Sequence, residues 1–119
     1  MATAYELTVY EKRSCSTCRR VTELLSERGV AFRRVEYQEV GMSQDLLREL
    51  LTKAGLRASD VVRRKEPLAA ELVGRAALPE DELVRVLSEH PELIQRPLVE
   101  DATRAVLARP PERVLELLD

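Results

Sequence analysis

The sequence has few of the residues that build disulfide frameworks or zinc centres. Its 119 residues include only two cysteines and one histidine. The two cysteines, Cys15 and Cys18, form one C-x-x-C motif, which is typical of a redox or metal site rather than of a disulfide framework. Structural zinc needs four ligands, and His90 is the only other good one. We therefore expect no bound metal.

Long apolar stretches and a strong net charge are also missing. No apolar run approaches the ~20 residues of a membrane-spanning helix. Residues 1–10 lack the basic and apolar regions of a signal peptide. The 19 basic and 21 acidic residues nearly cancel, whereas nucleic-acid-binding domains are usually clearly basic. We expect a cytoplasmic protein that binds neither a membrane nor a nucleic acid.

The length suits one domain over residues 1–119, because two independent cores would not fit. Residues 6–10 alternate as a short strand, and a helix follows the cysteine-containing turn and ends at Gly29. Residues 31–37 predict a second strand. A helical crossover of this length returns the chain as a parallel neighbour, with a right-handed connection.

The rest of the chain predicts helices and then two further strands. The predicted elements are helices at 43–55, 58–64 and 79–90, strands at 98–100 and 105–108, and a last helix from Pro110 onward. This order is that of an α/β protein with a thioredoxin-like fold. It predicts a mixed four-stranded sheet and an inserted helical subdomain at about residues 43–90.

Cys15 is the candidate nucleophile because it follows a strand and lies at the start of a helix. Unpaired backbone N–H groups and the helix dipole favour the thiolate there, and the thiolate is the reactive form. Arg13, Arg19 and Arg20 add local positive charge. Cys18, one turn further on, is close enough for a disulfide with Cys15. It either resolves an intermediate, acts as a redox switch, or is a buried helix residue that serine could replace.

Three of the 16 arginines have sequence contexts that indicate a conformationally restrained backbone. Arg63 ends a Val-Val-Arg run, and Arg96 and Arg109 each precede a proline, where the peptide bond can be cis. A guanidinium stays charged and offers a planar fork of donors that suits tetrahedral oxyanions. Spacing alone nevertheless leaves each of them as an ordinary surface residue, and Arg34 and Arg57 lack even such contexts.

Four sequence segments together indicate a particular protein family more specifically than any one of them does alone. They are residues 10–19, residues 61–63, the H-P-E-L-I-Q-R-P-L-V string at 90–99, and residues 108–112. Together they closely resemble the glutaredoxin-linked arsenate reductases of the ArsC family, in the ArsC/Spx-like superfamily. The resemblance runs from about Leu7 to Leu118.

This resemblance implies an enzyme that reduces arsenate to arsenite through an adduct between Cys15 and arsenic. It implies that Arg63, Arg96 and Arg109 bind the anion, and it identifies no tightly bound cofactor. Glutathione is the implied co-substrate, and glutaredoxin is the implied partner, with thioredoxin as an alternative. His90 fits the end of a helix better than the role of a proton carrier.

Cys18 departs from the family pattern. Many glutaredoxin-linked members have serine or another residue at this position, whereas a C-x-x-C motif is typical of the related Spx transcriptional regulators. Two alternatives follow: an Spx-like thiol-switch regulator that binds RNA polymerase, or a thiol–disulfide reductase with another substrate. The arginine trio and the segment Arg109-Pro110-Pro111-Glu112 favour the arsenate reductase.

Overall fold

The computed structural model describes residues 6–73 and 78–118. The strands are β1 (Leu7–Glu11), β2 (Phe32–Glu36), β3 (Leu98–Glu100) and β4 (Ala105–Leu107). The α-helices are α1 (Ser16–Glu27), α2 (Tyr37–Val40), α3 (Gln44–Ala54), α4 (Pro67–Leu72) and α5 (Glu80–Glu89). Three 3-10 helices span Ala58–Val61, Pro91–Leu93 and Pro111–Leu118. None of the helices in these described ranges is long and apolar enough to cross a lipid bilayer.

The four strands form one mixed sheet in the order β2-β1-β3-β4. Strand β1 pairs parallel with β2 and antiparallel with β3, and β3 pairs antiparallel with β4. The parallel return after α1 confirms the expected crossover, and the sheet confirms the thioredoxin-like fold. Because β1 is an inner strand, the turn that follows it starts from the interior of the sheet.

Alternation along β1 distributes its side chains between two hydrophobic clusters. Leu7 and Val9 pack on the face covered by α1 and by the last 3-10 helix. Tyr10 packs on the opposite face, which α3 and α5 cover. Both faces of the sheet are therefore buried, and the junction between β1 and α1 is anchored in the first cluster by Val21 and Leu25.

Local signals explain where α3 begins and where α1 and α3 end. Ser43 caps α3, because its Oγ accepts a hydrogen bond from the N–H of Leu46 at 3.1 Å. Gly29 and Gly55 follow α1 and α3 with positive φ angles of 69° and 68°, a conformation that glycine adopts without steric cost. The predicted end of α1 at Gly29 is thereby confirmed.

The predicted helix at 58–64 is wrong in its second half. Only Ala58–Val61 forms a 3-10 turn, because Val62 is extended and bridges to Ile94 in antiparallel fashion. This long-range pairing overrides the local helical tendency.

The last helix is a 3-10 helix rather than an α-helix. Helices α2 and α4 are too short to produce a periodic sequence pattern. The division into a domain and a helical insertion remains a prediction, and residues 74–77 of that insertion lie outside the described residues.

Candidate active site

The C-x-x-C motif lies where β1 ends and α1 begins. Cys15 is the N-cap of α1, with an extended backbone (φ −82°, ψ 125°), and its side chain is partly exposed. Its N–H donates to the carbonyl oxygen of Lys12 at 2.9 Å, which closes the turn after β1. From this position its sulfur accepts hydrogen bonds from the N–H groups of Thr17 and Cys18. Cys15 is thus placed as predicted, at a helix N-terminus that favours a negative charge.

The Cys15 thiol titrates below the range of an ordinary cysteine. Partial burial alone would raise its pKa. The backbone N–H and the thiol of Cys18, the guanidinium of Arg96 and the N–H of Thr17 outweigh that effect and lower the pKa from 9.0 to about 7. At neutral pH roughly half of the Cys15 side chains are therefore thiolate, the nucleophilic form.

The pKa of the Cys18 thiol is shifted in the opposite direction. It is fully buried in α1, and burial, together with the negative charges of Cys15 and Glu11, raises its pKa to about 12, although the N–H of Lys12 favours the thiolate. Cys18 is consequently a neutral thiol that donates a hydrogen bond to the Cys15 sulfur. The two sulfurs are within hydrogen-bond reach of each other, and one of them is activated.

Arg96 provides a buried positive charge next to the Cys15 sulfur. Only 7% of this residue is exposed, and its guanidinium contacts both Cys15 and the hydroxyl of Tyr37. Tyr37 in turn donates to the carbonyl oxygen of Ile94 at 2.7 Å. Within residues 6–73 and 78–118, no carboxylate lies at ion-pair distance from Arg96, and its Nε has no hydrogen-bond partner. A guanidinium cannot lose its proton, so a buried one favours the arrival of an anion.

Hydrogen bonds join the other two predicted arginines, Arg63 and Arg109, to the chain segment that carries Arg96. Arg109 donates from Nη1 to the carbonyl oxygen of Arg96 at 2.9 Å. Arg63 donates from its backbone N–H to Leu93 at 2.6 Å and from Nη1 to Gln95 Oε1 at 3.4 Å. Both side chains are partly exposed. The structure therefore brings the three arginines together along one short segment, with Arg96 as the member that touches Cys15.

The structure adds the geometry of two peptide bonds and the position of His90 to this description. The Arg96–Pro97 and Arg109–Pro110 peptide bonds are both cis. His90 ends α5, where its N–H donates to the carbonyl oxygen of Val86 at 2.9 Å. Its position is the helix end that the sequence indicates.

One ion pair near the cysteines is not predictable from the local sequence. Glu11 ends β1 with no exposed surface, and its carboxylate forms a close ion pair with Arg34, an arginine that the sequence left among ordinary surface residues. Glu11 occupies the same strand face as Leu7 and Val9, because the three alternate along β1. A carboxylate in the apolar register of a strand is the signal that could have identified it.

An open cleft of about 480 Å³ lies beside the cysteine-containing turn. Its lining residues are Lys12, Arg13, Ser14, Glu36, Gln38 and Glu39. Both signs of charge are present along its walls. The cleft is therefore polar, and it borders the loop that leads into Cys15.

Alkylation of Cys15 should follow a titration with a midpoint near pH 7, because only the thiolate reacts rapidly. The rate of iodoacetamide labelling, measured by mass spectrometry between about pH 5 and pH 9, gives this midpoint directly. Buried Cys18 serves as the internal control and should remain unlabelled in the folded protein. In an Arg96→Ala variant the midpoint should rise. A wild-type midpoint at the value of a free thiol would contradict the activation of Cys15.

Comparison with known proteins identifies the family. The family model described as "ArsC family" matches residues 10–117. The chain is 35% identical over 115 residues to the uncharacterized protein YfgD of Escherichia coli, covering 95% of this chain and 97% of that protein. It is 32% identical to an arsenate reductase of Neisseria meningitidis, covering 95% and 98%. Among solved structures, an arsenate reductase from Vibrio cholerae superimposes with a TM-score of 0.90 at 36% identity, covering 97% and 99%. The chain belongs to the ArsC family.

Proposed function

We propose that this protein is an arsenate reductase in which Cys15 is the nucleophile and Arg63, Arg96 and Arg109 bind the oxyanion. The observation that carries the proposal is the pairing of an activated thiol with a buried guanidinium that has no carboxylate partner among the described residues. The names of similar proteins from Neisseria meningitidis and Vibrio cholerae support the choice of arsenate as substrate.

The first step joins Cys15 to arsenic. Arsenate is an anion and would repel the thiolate, so the positive charges of the arginines are needed to hold both in one site. The Cys15 sulfur attacks As(V) and forms a sulfur–arsenic bond, while one arsenate oxygen takes up protons and leaves as water. No electrons are transferred to arsenic in this step, and the arsenic remains As(V).

The second step transfers the electrons. A thiol attacks the Cys15 sulfur and forms a sulfur–sulfur bond, and the electron pair of the breaking sulfur–arsenic bond converts As(V) to As(III), which leaves as arsenite. We assign the attacking thiol to glutathione, because Cys18 is buried and its raised pKa makes it a weak nucleophile on its own. Glutaredoxin then reduces the mixed disulfide on Cys15. Since this chemistry depends on a pool of reduced thiols, we place it in the cytoplasm.

A coupled assay tests the reaction and its partner together. Arsenate-dependent oxidation of NADPH should be supported by glutathione, glutaredoxin and glutathione reductase, and more weakly by thioredoxin and its reductase. Omission of arsenate is the control for background oxidation. Absence of turnover in both systems, together with binding to RNA polymerase, would replace this proposal with that of an Spx-like regulator.

Replacement of Cys18 by serine should leave turnover nearly at the wild-type level when glutathione and glutaredoxin are abundant. Serine retains a hydroxyl that can donate to the Cys15 sulfur, so the pKa of Cys15 should change little. Mass spectrometry after arsenate treatment should show Cys15 as a mixed disulfide with glutathione. Loss of activity in this variant despite abundant glutathione would instead make Cys18 the obligatory resolving thiol.

A further inference from the structure

Glu66 is a carboxylate that lies against one of the three proposed anion-binding arginines. Its Oε1 is 3.8 Å from Nε of Arg63. Within the two described ranges of the chain, neither Arg96 nor Arg109 has a carboxylate at such a distance. A tight turn sets the contact, because the N–H of Glu66 donates to the carbonyl oxygen of Arg63 at 3.1 Å. The turn therefore brings one negative charge to the group of arginines.

Neither helix capping nor hydrogen bonding explains the position of this carboxylate. Glu66 is the N-cap of α4, yet its side chain forms no capping hydrogen bond. The Nε of Arg63 is buried and has no hydrogen-bond partner among the described residues, so the two side chains meet only through their charges. The Arg63 and Glu66 side chains are 17% and 35% exposed, so solvent screens these charges only in part.

Arg63 keeps donors for an anion beside Glu66. A guanidinium carries five N–H donors, and the contacts of the Arg63 side chain use one of them, from Nη1 to Gln95 Oε1 at 3.4 Å. Gln95 directly precedes Arg96, so this bond holds Arg63 beside the residue whose guanidinium contacts Cys15. An oxyanion bound by Arg63 and Arg96 therefore shares the Arg63 guanidinium with Glu66.

The charges of this site distinguish anions by their own charge. The three guanidiniums exceed the Cys15 thiolate and the Glu66 carboxylate by one positive charge. A singly charged oxyanion neutralises that excess, whereas a doubly charged one leaves a negative charge in a partly buried site. Near neutral pH, arsenate and phosphate titrate between a monoanion and a dianion, whereas sulfate is a dianion throughout. Glu66 therefore opposes the binding of sulfate more than that of a protonated oxyanion.

We propose that Glu66 acts through Arg63 as a positioning residue and raises the preference of the anion site for singly charged oxyanions over the sulfate dianion. The inference rests on the anion-binding role that the proposed function gives to Arg63. It also suits the first step of that reaction, because a monoanion repels the Cys15 thiolate less than a dianion does. The carboxylate weakens anion binding as a whole, and in return it excludes an abundant tetrahedral competitor.

Protection of Cys15 from iodoacetamide measures anion binding without turnover. Labelling rates at about pH 6.5, where phosphate is mainly a monoanion and part of Cys15 is thiolate, are titrated with phosphate and separately with sulfate at constant ionic strength. Each titration gives an apparent dissociation constant. Glu66→Gln removes the charge and keeps the shape. The repulsion that it removes is twice as large for a dianion, so sulfate binding should tighten about tenfold and phosphate binding only about threefold.

The matched control is Glu71→Gln, the same change at an exposed position of α4, which should alter neither constant. Glu66→Asp keeps the charge and should keep most of the wild-type ratio of the two constants, which distinguishes a charge effect from a merely structural one. An unchanged ratio in Glu66→Gln, or an equal change in Glu71→Gln, would overturn the proposal. Absence of protection by either anion would overturn it as well.

Arsenate turnover is measured separately, so the two proposals can fail independently. A ratio that changes in Glu66→Gln supports the role of Glu66 even where arsenate-dependent NADPH oxidation is absent, a result that contradicts only the proposed reductase. Turnover of arsenate with an unchanged ratio would instead support the reductase and refute the role of Glu66.

Discussion

Replacement of Cys15 by serine should abolish arsenate reduction, with a decrease in turnover on the order of 10³ or more, as for other essential nucleophiles. A serine hydroxyl does not ionise near neutral pH, whereas the pKa of Cys15 is lowered to about 7 by its helix N-terminus, Cys18 and Arg96. The fold should be retained, because serine is a favoured N-cap residue and Cys15 occupies the N-cap of α1. Arsenate-dependent NADPH oxidation measures the loss, and thermal unfolding measures the stability.

The matched control for this variant is Cys18→Ser, which makes the same chemical change one helical turn away. It should retain turnover under conditions in which Cys15→Ser has none. Residual activity of Cys15→Ser within about tenfold of the wild type, well short of the loss expected for an essential nucleophile, would refute its assignment as the sole nucleophile.

The parts of the fold that the sequence predicts well are those that depend on local signals. The ends of α1 and α3 follow from Gly29, Ser43 and Gly55, and the parallel return of β2 follows from the length of the crossover. The extended conformation of Val62 could not be found in this way, because its pairing partner, Ile94, is 32 residues away along the chain.

The residues of the candidate site also differ in whether local sequence signals identify them. Cys15 is identifiable because strand, turn and helix N-terminus are contiguous in the sequence. The roles assigned to Arg63, Arg96 and Arg109 rest on family resemblance, since only the folded chain attaches Arg63 and Arg109 to the segment of Arg96. The ion pair between Arg34 and Glu11 could not be predicted, because an exposed arginine on an edge strand has no local feature that reveals a buried partner.

Replacement of Arg96 by alanine should cost about 2–4 kcal/mol of transition-state stabilisation, or about 30- to 1000-fold in kcat/KM, by analogy with a lost oxyanion donor. Two effects combine in this variant. The arsenate oxygens lose a buried cation, and the Cys15 thiolate loses one of the hydrogen bonds that lower its pKa. Arg96→Lys keeps the charge but loses the planar fork of donors, so its activity should lie between those of the wild type and Arg96→Ala. Initial rates over a range of arsenate concentrations give both values.

The control for charge alone is Arg57→Ala, which removes one exposed arginine. A site that acts through positioned donors should tolerate this change, because solvent and salt screen a distant exposed charge. A site that acts through bulk positive charge should instead lose similar activity in Arg57→Ala and Arg96→Ala and should be fully restored by Arg96→Lys. The two mechanisms also differ in labelling: only positioned donors predict that the alkylation midpoint of Cys15 rises in Arg96→Ala and stays near 7 in Arg57→Ala. Concordant results from kinetics and labelling would therefore assign the effect to the guanidinium of Arg96 itself.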